Sequence, residues 1–152
     1  MSHVVLGVSI VLTGTLVGVE FCVAVFLGPV VDRLPGSGGL TARADSARLL
    51  GAIMPFWYAA TLATACFSSA LLWATASGSL ATMAAVLLAI TIVLSATVLV
   101  PINNRVKRWS TSDHPDDWRT HVHRWDRWNN VRVVLAFAGF ALLVVAALIP
   151  SA

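Results

Sequence analysis

The sequence predicts an all-α fold, a four-transmembrane-helix bundle in a single domain over residues 1–152, and three observations carry that prediction. The chain is 58% hydrophobic and only 11% charged, too little charge for the surface of a soluble domain of this length. Its apolar excess falls in four runs, Val4–Leu27, Pro55–Ala76, Leu80–Val100 and Val131–Ile149. Each run is close to the roughly 20 residues that a helix needs to cross a hydrocarbon core of about 30 Å. Inside lipid the backbone must satisfy its own hydrogen bonds, so each run is read as a helix.

The first run has no Lys or Arg ahead of it and exceeds the length of a signal-peptide core, so it is read as a span rather than a leader. Gly14 and Gly18, extended by Gly7 and Cys22, form a narrow stripe for close helix approach. Packing within the bundle is the first expectation for that stripe, and a homo-oligomer interface is the alternative. Cys22 and Cys66 lie in separate runs and are expected as small packing residues rather than a disulfide. Pro29 follows the run, and the LPGSGG stretch Leu34–Gly39 is a turn-rich linker.

Thr41–Leu50 reads as a short interfacial helix, with Ala44, Ala47 and Leu50 on one side and Arg43, Asp45 and Arg48 elsewhere. Pro55 suits the first turn of span two, and Trp57 and Tyr58 suit the headgroup belt. Ala76–Ser79 is read as a tight hairpin into span three. That span closes at Val98–Val100, where Pro101 stops or kinks it. Pro115, Asp116 and Asp117 look like a helix start, with carboxylates at the positive end of the dipole. The fourth helix is therefore expected to be long, with a polar first half.

The basic residues follow a topological pattern. Gly28–Met54 carries Arg33, Arg43 and Arg48, and Pro101–Asn130 carries Arg105, Lys107, Arg108, Arg119, Arg124 and Arg127. The opposite side, with the short turn and both termini, has no Lys or Arg. Both large loops are thus expected to be cytoplasmic and both termini outside, in a bacterial-type plasma membrane. The positive charge is accounted for by this asymmetry, so no nucleic-acid partner is expected.

Chemistry concentrates between Leu99 and Arg132, which holds Trp109, Trp118, Trp125, Trp128 and three of the four histidines. Glu20 is the one carboxylate inside an apolar run, about 12 Å from its end at 1.5 Å per residue. Its burial demands a partner. Two roles stand open for it: a proton acceptor or ligand contact in a cavity, or a structural ion pair. His121, Trp125, Trp128 or Asn129, and Arg132 recur at helical spacing, with Trp118 one heptad before Trp125. Such a face resembles a wall that stacks on a flat aromatic ligand and donates to its oxygens. Arg132 is placed to turn inward toward Glu20. Membrane anchoring is the simpler role for Trp109 and Trp128. Asn103 and Asn104 either cap the broken end of span three or donate to a carbonyl or enolate oxygen. His121 and His123 diverge on a helix, so no metal site is expected. There is no Gly-rich phosphate loop, CxxC pair or nucleophile elbow.

The run Pro101-Ile102-Asn103-Asn104, Trp109, Pro115-Asp116-Asp117-Trp118 and Arg124-Trp125-Asp126-Arg127-Trp128, leading to Val131-Arg132, resembles the anthrone oxygenase-like family of small membrane proteins. Glu20 followed by Gly28-Pro29 is compatible with it. The resemblance implies oxidation of an anthrone to a quinone by molecular oxygen, in aromatic polyketide pathways and without a cofactor. It implies a lipophilic substrate drawn from the bilayer, Glu20 as base with His121 or His123 as alternatives, and Asn103, Asn104 and Arg132 as oxyanion donors. Trp118 and Trp125 would stack on the rings. Two other readings fit the same residues: a membrane cyclase or isomerase working by acid–base chemistry, and a non-enzymatic small membrane subunit. Without an inverted repeat or paired broken helices, a transporter fits less well.

Overall fold

The structure, a computed structural model of the chain, describes residues 1–110, 113–115 and 117–149. Among these described residues, four long helices make up the fold: α1 (Ser2–Asp32), α2 (Gly38–Leu71), α3 (Ala76–Val106) and α4 (Trp118–Leu148). All four are long and apolar enough to cross a membrane. Packing runs around a square, α1 on α2, α2 on α3, α3 on α4 and α4 back on α1. One end of the bundle carries the connections that follow α1 and α3. The other carries the termini and the turn between α2 and α3.

The termini half is closely packed. Ala65, Ala81, Ala84 and Ala136 have no exposed surface, and small side chains let helices approach when lipid supplies no hydrophobic drive between them. A Cβ on Gly14 would lie 2.9 Å from the Phe140 ring, so this glycine serves packing inside the bundle. Gly7 and Gly18, by contrast, face open space. Buried hydroxyls are satisfied locally: Ser9 pairs with Ser68 at 3.1 Å, and Thr13 donates to the Ser9 carbonyl at 2.7 Å.

Both α1 and α3 widen into a π turn ahead of a proline. These are Val23–Leu27 before Pro29 and Ser95–Leu99 before Pro101. The Gly28 and Val100 amides reach back to the carbonyls of Val23 and Ser95. A proline inside an α-helix lacks its amide and crowds the carbonyl four residues back. The wider turn accommodates that crowding, so neither proline ends its helix. Span three therefore continues to Val106, and Asn103 and Asn104 sit inside it rather than capping a broken end.

Three further expectations change. Thr41–Leu50 is the first part of α2, not a separate interfacial helix. Its apolar face packs within the bundle, where Leu40 and Ala47 join Ile102, Val106 and Val122 in one core cluster. The α2–α3 connection falls at Leu72–Thr75, one turn earlier than Ala76–Ser79. Ala74 takes a left-handed φ of 65° there, and the Thr75 hydroxyl accepts the Gly78 amide at 3.0 Å to cap α3. Cys22 and Cys66 are unpaired as expected but lie exposed on the outer surface rather than in packing positions. The fourth helix is long, 31 residues, with Asp117 at its N-cap; Asp116 lies outside the described residues.

Candidate active site

Five polar side chains meet at mid-bundle, one helix contributing each except α4, which gives two. The Arg132 guanidinium donates from Nη2 to Glu20 Oε2 at 2.6 Å and to Asn129 Oδ1 at 2.7 Å. Its Nη1 donates to Ser95 Oγ at 3.1 Å. The Tyr58 hydroxyl donates to Glu20 Oε1 at 3.2 Å, and the guanidinium carbon stands 5.3 Å from the Tyr58 ring centroid. Glu20 is 2% exposed and Arg132 8%. Two opposite charges this far from water need one another: removing one partner of such a pair costs about 3–5 kcal/mol, because the other charge is left uncompensated.

The π turns help to set this meeting. Glu20 lies in the last α turn before the widened segment of α1, and Ser95 opens the widened segment of α3. Such turns commonly occur at functional sites, where they re-aim a side chain.

A cavity of about 480 Å³ extends from this cluster toward the loop end. Glu20, Tyr58, Ser95 and Arg132 form its inner end, and Val23, Met54, Ile92 and Leu99 line its sides. Trp125, Asn103, Asn104 and Arg43 border it nearer the loops. The volume lies in the range of small-molecule sites, and an apolar body with a few convergent polar groups is their usual chemistry. Below it, Arg43 bridges Asp126 at 2.8 Å and Asp32 at 3.0 Å, tying α1, α2 and α4 together.

Of the residues singled out from sequence, Glu20, Asn103, Asn104, Trp125 and Arg132 border the cavity. Asn129 is buried behind Arg132 and holds it. Asn103 also donates to the Ala47 carbonyl at 3.1 Å, joining α3 to α2. Trp118 and His121 stand elsewhere. Trp118 packs on the loop-end core with Arg119 5.1 Å from its ring. His121 lies against Trp109, ring centroids 6.1 Å apart, with Asp117 3.8 Å away. The inward face of α4 runs through Val122, Asn129, Arg132 and Ala136; it keeps Asn129 and Arg132 of the predicted face and takes Val122 in place of His121. His123 borders a separate small depression beside Asp32 and Trp118, so the two histidines diverge. Among the described residues no group of three His, Cys, Asp or Glu side chains is placed to hold a metal ion.

Sequence reasoning misplaced Tyr58 and Trp109 and overlooked Ser95. Tyr58 is 4% exposed, not in a headgroup belt. The spacing Met54, Tyr58, Thr61, Ala65 is a buried helical stripe, and it was the signal to read. Trp109 is 8% exposed and no surface anchor, because the chain turns back after α3, with the Trp109 amide bonded to the Val106 carbonyl. Ser95 carried no signal, being one of several hydroxyls in an apolar run.

A square of four membrane-length helices around a cavity headed by the buried Glu20–Arg132 ion pair defines the class: a small all-helical membrane protein with an internal cavity. Residues 47–142 match the anthrone oxygenase family, and the chain belongs to that family. The matched segment includes Tyr58, Ser95 and Arg132 but begins after Glu20 and Arg43. Comparison with curated proteins gives no match, and comparison with solved structures gives none.

Proposed function

We propose that the chain is a membrane-embedded oxygenase that converts an aromatic polyketide anthrone to the quinone with molecular oxygen, by base-assisted chemistry that needs no cofactor. The observation that carries this reading is the Glu20–Arg132 pair at the inner end of an apolar cavity, in a chain of this family. An anthrone methylene is acidic because its conjugate base is an aromatic phenoxide-like anion. Glu20 takes that proton, and the anion's oxygen takes the donors that Glu20 gives up, from Arg132 and Tyr58. The arginine thus exchanges one anionic partner for another, and no unbalanced charge arises in the dry site at any stage.

The anion then forms a carbon–oxygen bond with O₂, giving a peroxide anion. Glu20 returns its proton to the distal oxygen, and loss of water across the C–H and O–O bonds gives the second carbonyl. One O₂ is consumed and one water released per anthrone. Trp125 and the aliphatic walls hold the rings flat, Asn103 and Asn104 offer donors to ring oxygens, and Asn129 positions Arg132. His121 and Trp118, outside the cavity, have no part in this scheme. The two loops face the cytoplasm and the termini face outward, following the positive charge at the loop end.

The test is oxygen uptake by the purified protein in lipid nanodiscs supplied with an anthrone, followed together with quinone absorbance. Stoichiometric uptake, lost in Glu20→Gln, is expected. Turnover that persists at full rate without oxygen would replace the oxygenase reading by acid–base isomerisation or cyclisation.

A further inference from the structure

The cavity has a side opening. Above the site, α2 and α3 are closed on one another: Leu62 and Ala65 pack with Ala85 and Leu88, and Ser69 bonds Thr82 at 2.6 Å. Below it they are closed again, by Asn103 on the Ala47 carbonyl at 3.1 Å and by Arg48 Nε on the Lys107 carbonyl at 2.9 Å. Between these two closures several residues that line the cavity are also exposed. On α2 these are Ala52, Pro55 and Ala59, and on α3 they are Ala96 and Val100. A residue that is at once cavity wall and outer surface marks an edge of a hole.

The position of the hole decides what it opens onto. It runs from Gly51 to Leu62 along α2, roughly 17 Å at 1.5 Å per residue. Most of that length, and all of its α3 edge, belongs to helix segments apolar enough to cross a membrane. The opening therefore faces lipid rather than water. At its back lie Glu20, Tyr58 and Arg132, while the frame itself is small and apolar. A charged or strongly hydrated molecule would lose its hydration before meeting any polar group there. A flat, largely apolar molecule already dissolved in the bilayer would lose none.

We infer that the gap between α2 and α3 is the route by which a flat lipophilic ligand passes sideways from the bilayer into the site, and that Ala59 and Ala96 set the width that passes. This inference rests on the cavity being the substrate site, and its test is independent of turnover. In a background with Cys22 and Cys66 replaced by Ala, Ile92→Cys places a single thiol on the cavity wall. The protein in nanodiscs is then treated with a membrane-partitioning aromatic maleimide or with a charged, membrane-impermeant thiol reagent.

Labelling by the lipophilic reagent only is expected, slowed at least 10-fold by Ala59→Trp and, independently, by Ala96→Trp. Both positions are exposed, so neither variant disturbs a packed contact, and an unchanged elution profile in size-exclusion chromatography checks this. Equal labelling by the charged reagent, no labelling by either, or rates unmoved by both tryptophans would overturn the route. Labelling as expected in a protein that oxidises no anthrone would leave the opening in place and remove the proposed reaction instead.

Discussion

The Arg132 guanidinium bonds the Glu20 carboxylate at 2.6 Å across 112 residues of sequence. The contact joins the last helix to the first, so it closes the square of helices as well as heading the cavity. These two consequences of one ion pair respond differently to substitution, which makes them separable.

Glu20→Gln strands the arginine charge and is expected to lower stability by about 3–5 kcal/mol while ending turnover. Adding Arg132→Met removes the stranded charge. The double variant should regain most of the stability and none of the activity. Thermal unfolding in detergent and oxygen uptake on the same samples read the two effects. Turnover restored in the double variant would take Glu20 out of the reaction.

Tyr58→Phe keeps the ring under Arg132 and removes only the hydroxyl that Glu20 accepts. A stability loss of about 1 kcal/mol is expected, with a fall in kcat of about 10-fold, corresponding to roughly 1.4 kcal/mol of lost transition-state stabilisation. Tyr58→Leu, which also removes the ring beneath the cation, should be the less stable of the two. An unchanged kcat in Tyr58→Phe would show that the hydroxyl does not stabilise the anion formed from the substrate.

Gly14→Ala sets a methyl 2.9 Å from the Phe140 ring. Overpacking of this kind costs about 1–3 kcal/mol, and Phe140→Leu should relieve part of it. A double-mutant cycle on unfolding temperature measures the coupling. Strict additivity would mean that the two residues do not meet.

Ser37→Cys in a cysteine-free background tests orientation. A membrane-impermeant maleimide added to intact cells should leave it unmodified, and permeabilisation should expose it. Labelling from outside would invert the proposed topology.

Most of the fold was legible because the signal for a span is summed over about 20 residues. The long fourth helix was legible for the same reason. The pairing of Glu20 with Arg132 was legible because a carboxylate in an apolar run leaves few ways to be satisfied. Local boundaries were not. Pro29 and Pro101 have the same one-residue effect on any sequence pattern, and only the chain's geometry shows that a π turn absorbs each. The face of α4 was legible through Trp125, Asn129 and Arg132, but at its loop end Val122 stands inward in place of His121, since both fit a helical stripe through Trp125 within one residue's rotation of about 100°. Polarity favoured the histidine, and packing took the valine. Tyr58 was misread from its neighbour Trp57, which lies about 100° round the same helix.

The two π turns divide the molecule. A π turn places one extra residue in a helix, so the residues on either side of it follow separate angular phases. In α1 and α3 that break falls at the level of the Glu20–Arg132 pair. The termini half can keep its interlocking alanines and glycines while the loop half is re-cut for a different guest, because a change of phase below need not propagate above. The bundle is in this sense a fixed handle joined to an exchangeable socket, with the prolines marking the joint.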